Sequence, residues 1–260
     1  MVSKAAHVEL ETAIQAMGEA VGQALDAQCV LLFGSRARGD HKEHSDVDLA
    51  VILERTAYSL DPRERIRLEE KGAAVAGEVS QGLFHRVDVR VWTEGAYRQE
   101  KRSINHVAGR SWREGRVLFG SHEAVPGEET VEELPHVREL IEMARGQLVT
   151  MEFLGNREIR EEDFGFHAER ATELSLKAWI ALTGQQYPLT HFLFQLFDQL
   201  EEAGVSGAAQ FRDLASLTNY AVVYQYRMIE SPVMDRERVI QDVSNLVDYV
   251  ATQLEGTEAE

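Results

Sequence analysis

The stretch from Val30 to Leu53, VLLFGSRARGDHKEHSDVDLAVIL, constrains the fold more than any other part of the chain. Val30 to Phe33 is a short, continuous apolar run, which suits a strand buried on both faces. Gly34-Ser35 ends it abruptly, and a residue without a Cβ lets another group approach the backbone there. Ten residues follow, Arg36 to Ser45, and then Asp46-Val47-Asp48-Leu49 opens a second apolar run to Leu53. Side chains alternate along a strand with period two, so Asp46 and Asp48 share one side and Val47 and Leu49 the other. Two like charges held side by side are costly unless a cation neutralises them, and carboxylates facing phosphate oxygens are the usual holders of Mg²⁺.

The pattern apolar-Gly-Ser, a spacer of ten, then Asp-apolar-Asp-apolar resembles the signature of the nucleotidyltransferase superfamily related to DNA polymerase beta. The loop Ser35-Arg36-Ala37-Arg38-Gly39 and a Ser45 before the first aspartate are similar to those of its small bacterial members. The resemblance implies a third carboxylate on a neighbouring strand. RVDVRVW, Arg86 to Trp92, supplies Asp88, with Val87, Val89 and Val91 on the opposite face. It further implies that Asp46, Asp48 and Asp88 are catalytic as the ligands of two Mg²⁺ ions lying about 4 Å apart. The donor would be ATP or another nucleoside triphosphate. Gly34 and Ser35 would bind its phosphates through backbone and hydroxyl, and the Arg36 and Arg38 guanidinium forks are placed to reach triphosphate oxygens. Ser45 would orient the strand entrance. A plainer reading stands beside this one: Gly34-Ser35 caps the next helix and the two arginines face solvent. His41, His44 and His85 flank the stretch, but three carboxylates already supply hard oxygen ligands, so these histidines are read as surface residues.

Charge divides the chain. Residues 1–120 hold 17 Lys/Arg against 18 Asp/Glu, a net of −1, whereas residues 121–260 hold 10 against 26, a net of −16. An acidic surface repels phosphate backbones, so general nucleic-acid binding by the second half is disfavoured and a cationic partner is better tolerated. The single cysteine, Cys29, excludes an intramolecular disulfide and a cysteine-based zinc cluster. No apolar run approaches bilayer-spanning length and no charged-then-apolar leader opens the chain, which leads us to expect a cytoplasmic protein with no membrane partner.

In chain order, Ile14, Met17, Val21 and Leu25 recur at helical spacing. Asp61-Pro62 reads as a helix start, and the helix to about Val79 would carry the chain between two adjacent acidic strands. Helices are expected around Tyr97–Ile104 and His106–Trp112, then a short strand, Val117–Phe119. His122 to Leu134, with Pro126, Gly127 and Pro135 nearby, has linker composition. Beyond it the spacing predicts helices over Leu134–Leu154, Phe164–Leu182, Leu193–Leu200, Phe211 to about Arg227, and Val233–Leu254 capped by Ser231-Pro232. The expected fold is α+β: a nucleotidyltransferase domain over 1–120 built on a mixed sheet with flanking helices, a linker over 121–133, and an all-α up-and-down bundle over 134–260.

The stretches FHAERATELSLKA (Phe166–Ala178), YPLTH (Tyr187–His191) and YAVVYQYR (Tyr220–Arg227) resemble the bacterial HEPN domain, a helical partner of small nucleotidyltransferases. Many HEPN ribonucleases place a histidine four to six residues after an arginine in the late helix. Arg212 and Arg227 have none at that spacing, and His191 is the last histidine. Lys177, Tyr187, His191, Tyr220, Tyr224 and Arg227 are read as a wall for the acceptor, although a tyrosine in a bundle is more often a core aromatic. The resulting expectation is transfer of a nucleoside monophosphate to a hydroxyl of an aminoglycoside-like small molecule or of a protein tyrosine. A catalytically silent nucleotide-binding module and a HEPN ribonuclease of toxin-antitoxin type are the alternatives. Exposed helical surfaces are compatible with a homodimer.

Overall fold

A computed structural model describes residues 4–55, 59–121, 123, 130–222 and 233–258. The chain divides into two compact units, Met1–Glu132 and Glu133–Glu260.

The first unit is built on four strands, β1 (Ala27–Phe33), β2 (Val47–Leu53), β3 (Val87–Thr93) and β4 (Arg116–Gly120), in the order β3-β2-β1-β4. β1 runs antiparallel to both β2 and β4, and β2 runs parallel to β3, so the sheet is mixed. A parallel pair requires a crossover, and α3 (Pro62–Ser80) provides it. Asp61 starts that helix: its carboxylate accepts from the backbone N–H of Arg63 at 2.9 Å and of Glu64 at 3.2 Å, with Pro62 at the first position. Asp61→Ala should lower the unfolding free energy by about 1 kcal/mol, read as a lower urea midpoint at unchanged slope. An unmoved midpoint would show that the cap contributes nothing.

Period-two alternation sorts the sheet into two cores. Val30, Leu32, Val47, Leu49, Val51, Val89 and Val91 join Ile14, Met17 and Val21 of α1 (Lys4–Ala24) and Ala76 of α3 on one face. On the other, Cys29, Leu31, Ala50, Ile52 and Trp92 pack with Ala96 and Tyr97 of α4 (Glu94–Glu100) and Ala108 of α5 (Val107–Glu114). The Thr93 hydroxyl caps α4 by accepting from Ala96 N–H at 3.2 Å, and His106 Nδ1 caps α5 by accepting from Ala108 N–H at 3.1 Å. A five-residue helix, α2 (Gly34–Arg38), follows β1.

The second unit contains α6 (Leu134–Gly155), α7 (Glu161–Leu182), α8 (Leu193–Glu202), a 3₁₀ helix (Ala208–Leu217), α9 (Thr218–Val222) and α10 (Arg236–Glu258). Every residue of α7 from Ala171 to Ala181 is buried, which marks it as the central helix of the unit. It packs against α6, α8 and α10. Two expectations are corrected here. The α-helix expected from Phe211 is a 3₁₀ helix, because Ala208, Phe211, Leu214 and Leu217 recur every third residue and three residues per turn put them all on the inward face. The last helix begins at Arg236, not Val233. The Asp235 carboxylate accepts from Arg238 N–H at 3.1 Å and supplies the cap, while Val233 is exposed. The expected Ser231-Pro232 cap, the late-helix residues Tyr224 and Arg227, and most of the expected linker, with Pro126 and Gly127, lie outside the described residues. No helix among the described residues is long and apolar enough to cross a membrane.

Candidate functional site

Asp48 and Asp88 are register partners across the parallel β2–β3 ladder, so their side chains leave the sheet side by side on one face. Asp46 stands one residue before β2. The Val47 N–H donates to the Arg86 carbonyl at 3.0 Å and carries the pairing back to this point, which leaves Asp46 on the same side as Asp48. On the other flank Asp48 is paired with Phe33, the last residue of β1. Gly34 comes next, with φ +73°, and a Cβ built on it would lie 2.3 Å from Asp48 Oδ2. Glycine is therefore required twice over, for its backbone conformation and for the closeness of the carboxylate. The Asp48 carboxyl is held above its usual range, first by burial and then by the charges of Asp88 and Asp46, with Arg90 and Arg38 opposing. Arg90 Nε donates to Asp88 Oδ2 at 3.3 Å.

The loop between Gly34 and Asp46 is held by its own polar groups. Arg36 donates from Nε to the carbonyls of Ser45 at 3.0 Å and Asp46 at 3.1 Å, and from Nη2 to Ser45 again at 2.7 Å. Its guanidinium lies over the Phe84 ring, 4.8 Å from the centroid. Ser45 Oγ accepts from Lys42 N–H at 2.8 Å and closes the turn that delivers Asp46. The Ser35 carbonyl accepts from the N–H groups of Gly39 and Asp40, at 3.0 and 3.1 Å. Arg38 ion-pairs with Asp40 at 3.2 Å and Glu114 at 2.7 Å. His44 and His85 are exposed and His41 is half-buried. A pair of half-buried carboxylates in register, a third on the same face, and a cradle that any Cβ would fill suit a hard divalent cation in their donor chemistry.

Among the described residues, however, the three ligand atoms that lie within 4.8 Å of one another belong to the bundle, on Glu169, Glu173 and His191. Sequence reading named His191 and passed over the two glutamates, although two acids four residues apart inside the most apolar helical stretch were a signal that could have found them. Both are fully buried on α7. Lys177 Nζ and Arg170 Nη1 donate to Glu173 Oε1, and His191 Nδ1 lies 2.9 Å from Glu173 Oε2. Burial works to raise the Glu173 carboxyl, but Lys177, then Arg170 and His191, outweigh it and hold the group below its usual range. Burial, and then the charge of Glu173, push Glu169 up to about 8. The Lys177 ammonium also lies 5.5 Å from the centroid of Tyr187, whose hydroxyl meets His136 Nε2 at 2.8 Å. Tyr220 is buried against Gly165. Of the expected acceptor wall, Lys177 and His191 thus meet on Glu173, whereas Tyr220 is a core aromatic.

The family described as polymerase beta, nucleotidyltransferase matches residues 19–100, and the HEPN domain matches residues 137–254. No curated protein matches the chain. Among solved structures, the crystal structure of spectinomycin adenyltransferase AAD(9) from Enterococcus faecialis with ATP and spectinomycin is 10% identical, with a TM-score of 0.45. The match covers 95% of this chain and 99% of that one.

Proposed function

From a polymerase beta-type nucleotidyltransferase domain joined to a HEPN domain, we infer that the chain transfers a nucleoside monophosphate, AMP from ATP in the simplest case, to an acceptor hydroxyl and releases pyrophosphate. The observation that carries this reading is the register pairing of Asp48 with Asp88 beside Gly34, with Asp46 on the same face. Two Mg²⁺ ions bound there would polarise the phosphoryl oxygens and lower the pKa of the acceptor hydroxyl. Asp46 and Asp48 would hold both ions and Asp88 the acceptor-side one. Gly34 leaves the room in which a phosphate can come close to Asp48, and the Gly34-Ser35 backbone and hydroxyl bind it. Arg36 acts as a positioning residue through the Ser45 and Asp46 carbonyls. Arg38 can reach phosphate only by exchanging its ion pairs with Asp40 and Glu114.

The acceptor class follows from charge: a half with a net of −16 favours a cationic molecule, as an aminoglycoside is, over a polyanion. A protein tyrosine remains the second acceptor class. RNA cleavage by the bundle is disfavoured by the missing histidine after Arg212 and Arg227 and by the acidic surface. Labelled ATP incubated with Mg²⁺, the protein and a panel of aminoglycosides and proteins, the chain itself included, tests the reading. Label must move to an acceptor with pyrophosphate released; ATP left intact with every acceptor would count against it.

Binding should also show in stability. ATP and Mg²⁺ together should stabilise the fold by about 2.7 kcal/mol at a hundredfold excess over the dissociation constant, and either alone by much less, because the ions bridge carboxylates and phosphates. Absence of a thermal shift at millimolar ATP and Mg²⁺ would remove nucleotide binding itself.

A further inference from the structure

We propose that the helical unit carries a metal site of its own, in which Glu169, Glu173 and His191 hold a divalent transition-metal ion, Zn²⁺ or Mn²⁺. The three candidate ligand atoms lie within 4.8 Å of one another. Ligands at bonding distance around a tetrahedral ion are about 3.4 Å apart, so the three atoms need shifts of no more than about 1.5 Å, with the 2.9 Å hydrogen bond between Glu173 Oε2 and His191 Nδ1 opening by about 0.5 Å to admit the ion.

A second observation points to a ligand. Glu169 is 1% exposed, and its Oε1 has no hydrogen-bond partner among the described residues. A buried carboxylate oxygen left unpaired costs free energy that is recovered only if something binds to it. The neighbouring cations do not reach it: Lys177 and Arg170 both donate to Glu173 Oε1 and leave Oε2 turned toward His191. Lys177 and Arg170 are both spent on Glu173, and Glu169, pushed up to about 8, holds a proton that an arriving ion would displace.

The donor set decides which cation. One imidazole with two carboxylates is too nitrogen-rich for Ca²⁺ or Mg²⁺ and suits Zn²⁺ or Mn²⁺. The His191 side chain is 64% exposed while both glutamates are buried. An ion could thus enter from solvent past the imidazole and settle on the acids.

The test separates this site from the aspartates by starting from the full-length Asp46→Asn/Asp48→Asn protein. Zn²⁺ and Mn²⁺ loading is measured by equilibrium dialysis, with and without His191→Ala or Glu169→Gln. We expect a single ion per chain in the double-Asn protein. Affinity should fall at least about tenfold in either added variant, since loss of even an outer partner of a ligand costs that much. His191 is a surface residue, so its truncation leaves the packing intact, and circular dichroism checks Glu169→Gln. Neither ion binding to the double-Asn protein, or unchanged affinity in either added variant, would overturn the proposal.

Discussion

Replacing Asp48 by asparagine is expected to reduce nucleotide transfer about a thousandfold and, at the same time, to raise the melting temperature of the metal-free protein. Polarisation of a phosphoryl oxygen by a bound cation is worth several kcal/mol in the transition state, and each 1.36 kcal/mol is a factor of ten in rate. An amide keeps the shape of the carboxylate but lacks the charge that holds the ion. The stability effect follows from the raised Asp48 carboxyl, which burial and the charges of Asp88 and Asp46 hold above its usual range. Protonation then favours the fold. That advantage is complete below the unfolded-state pKa and is lost as pH rises through the folded one. At neutral pH the ionised group therefore weighs on the metal-free fold, and asparagine removes the burden. The gain in melting temperature should shrink as the pH falls below the ordinary carboxylate range. Asp46→Asn should cost a similar factor in transfer. Undiminished pyrophosphate release by either variant would remove the aspartates from the reaction.

These residues could be read in sequence because a strand repeats every two residues and a parallel ladder keeps register. Once Val87, Val89 and Val91 faced inward, Asp88 had to face the side on which Asp48 stands. The Asp61-Pro62 start was equally local, a side chain and a ring acting within one helical turn. What could not be read depends on contacts distant in sequence. Arg36 looked free to grip phosphate, but its fork is taken by carbonyls nine and ten residues on, a consequence of how the loop folds back. Likewise, Glu169 and Glu173 on α7 meet His191 only because the chain turns at Gly184 and returns along the same helix. The 3₁₀ helix was written in the sequence as a period of three, and it was overlooked because a window tuned to 3.6 accepts Phe211, Leu214 and Leu217 as readily.

Gly34→Ala should have the second-largest effect, a loss of transfer of about a hundredfold. At φ +73° an L residue is strained by roughly 1–2 kcal/mol, and that alone would lower stability while leaving a folded enzyme. The larger consequence is steric. The new methyl group would stand 2.3 Å from Asp48 Oδ2, well inside contact distance, so the carboxylate must turn away from the place it shares with Asp88. A displacement of about 1 Å at a reacting centre is enough for roughly a hundredfold in rate. Gly39 provides the control, because it too has a positive φ, +80°, yet a Cβ there would meet nothing within 4 Å. Gly39→Ala should therefore show the same backbone strain in its melting temperature while transfer changes by no more than about the few-fold that strain alone allows. If the two alanine variants lose transfer equally, backbone strain accounts for the effect, and the close approach of Gly34 to Asp48 has no part in the chemistry.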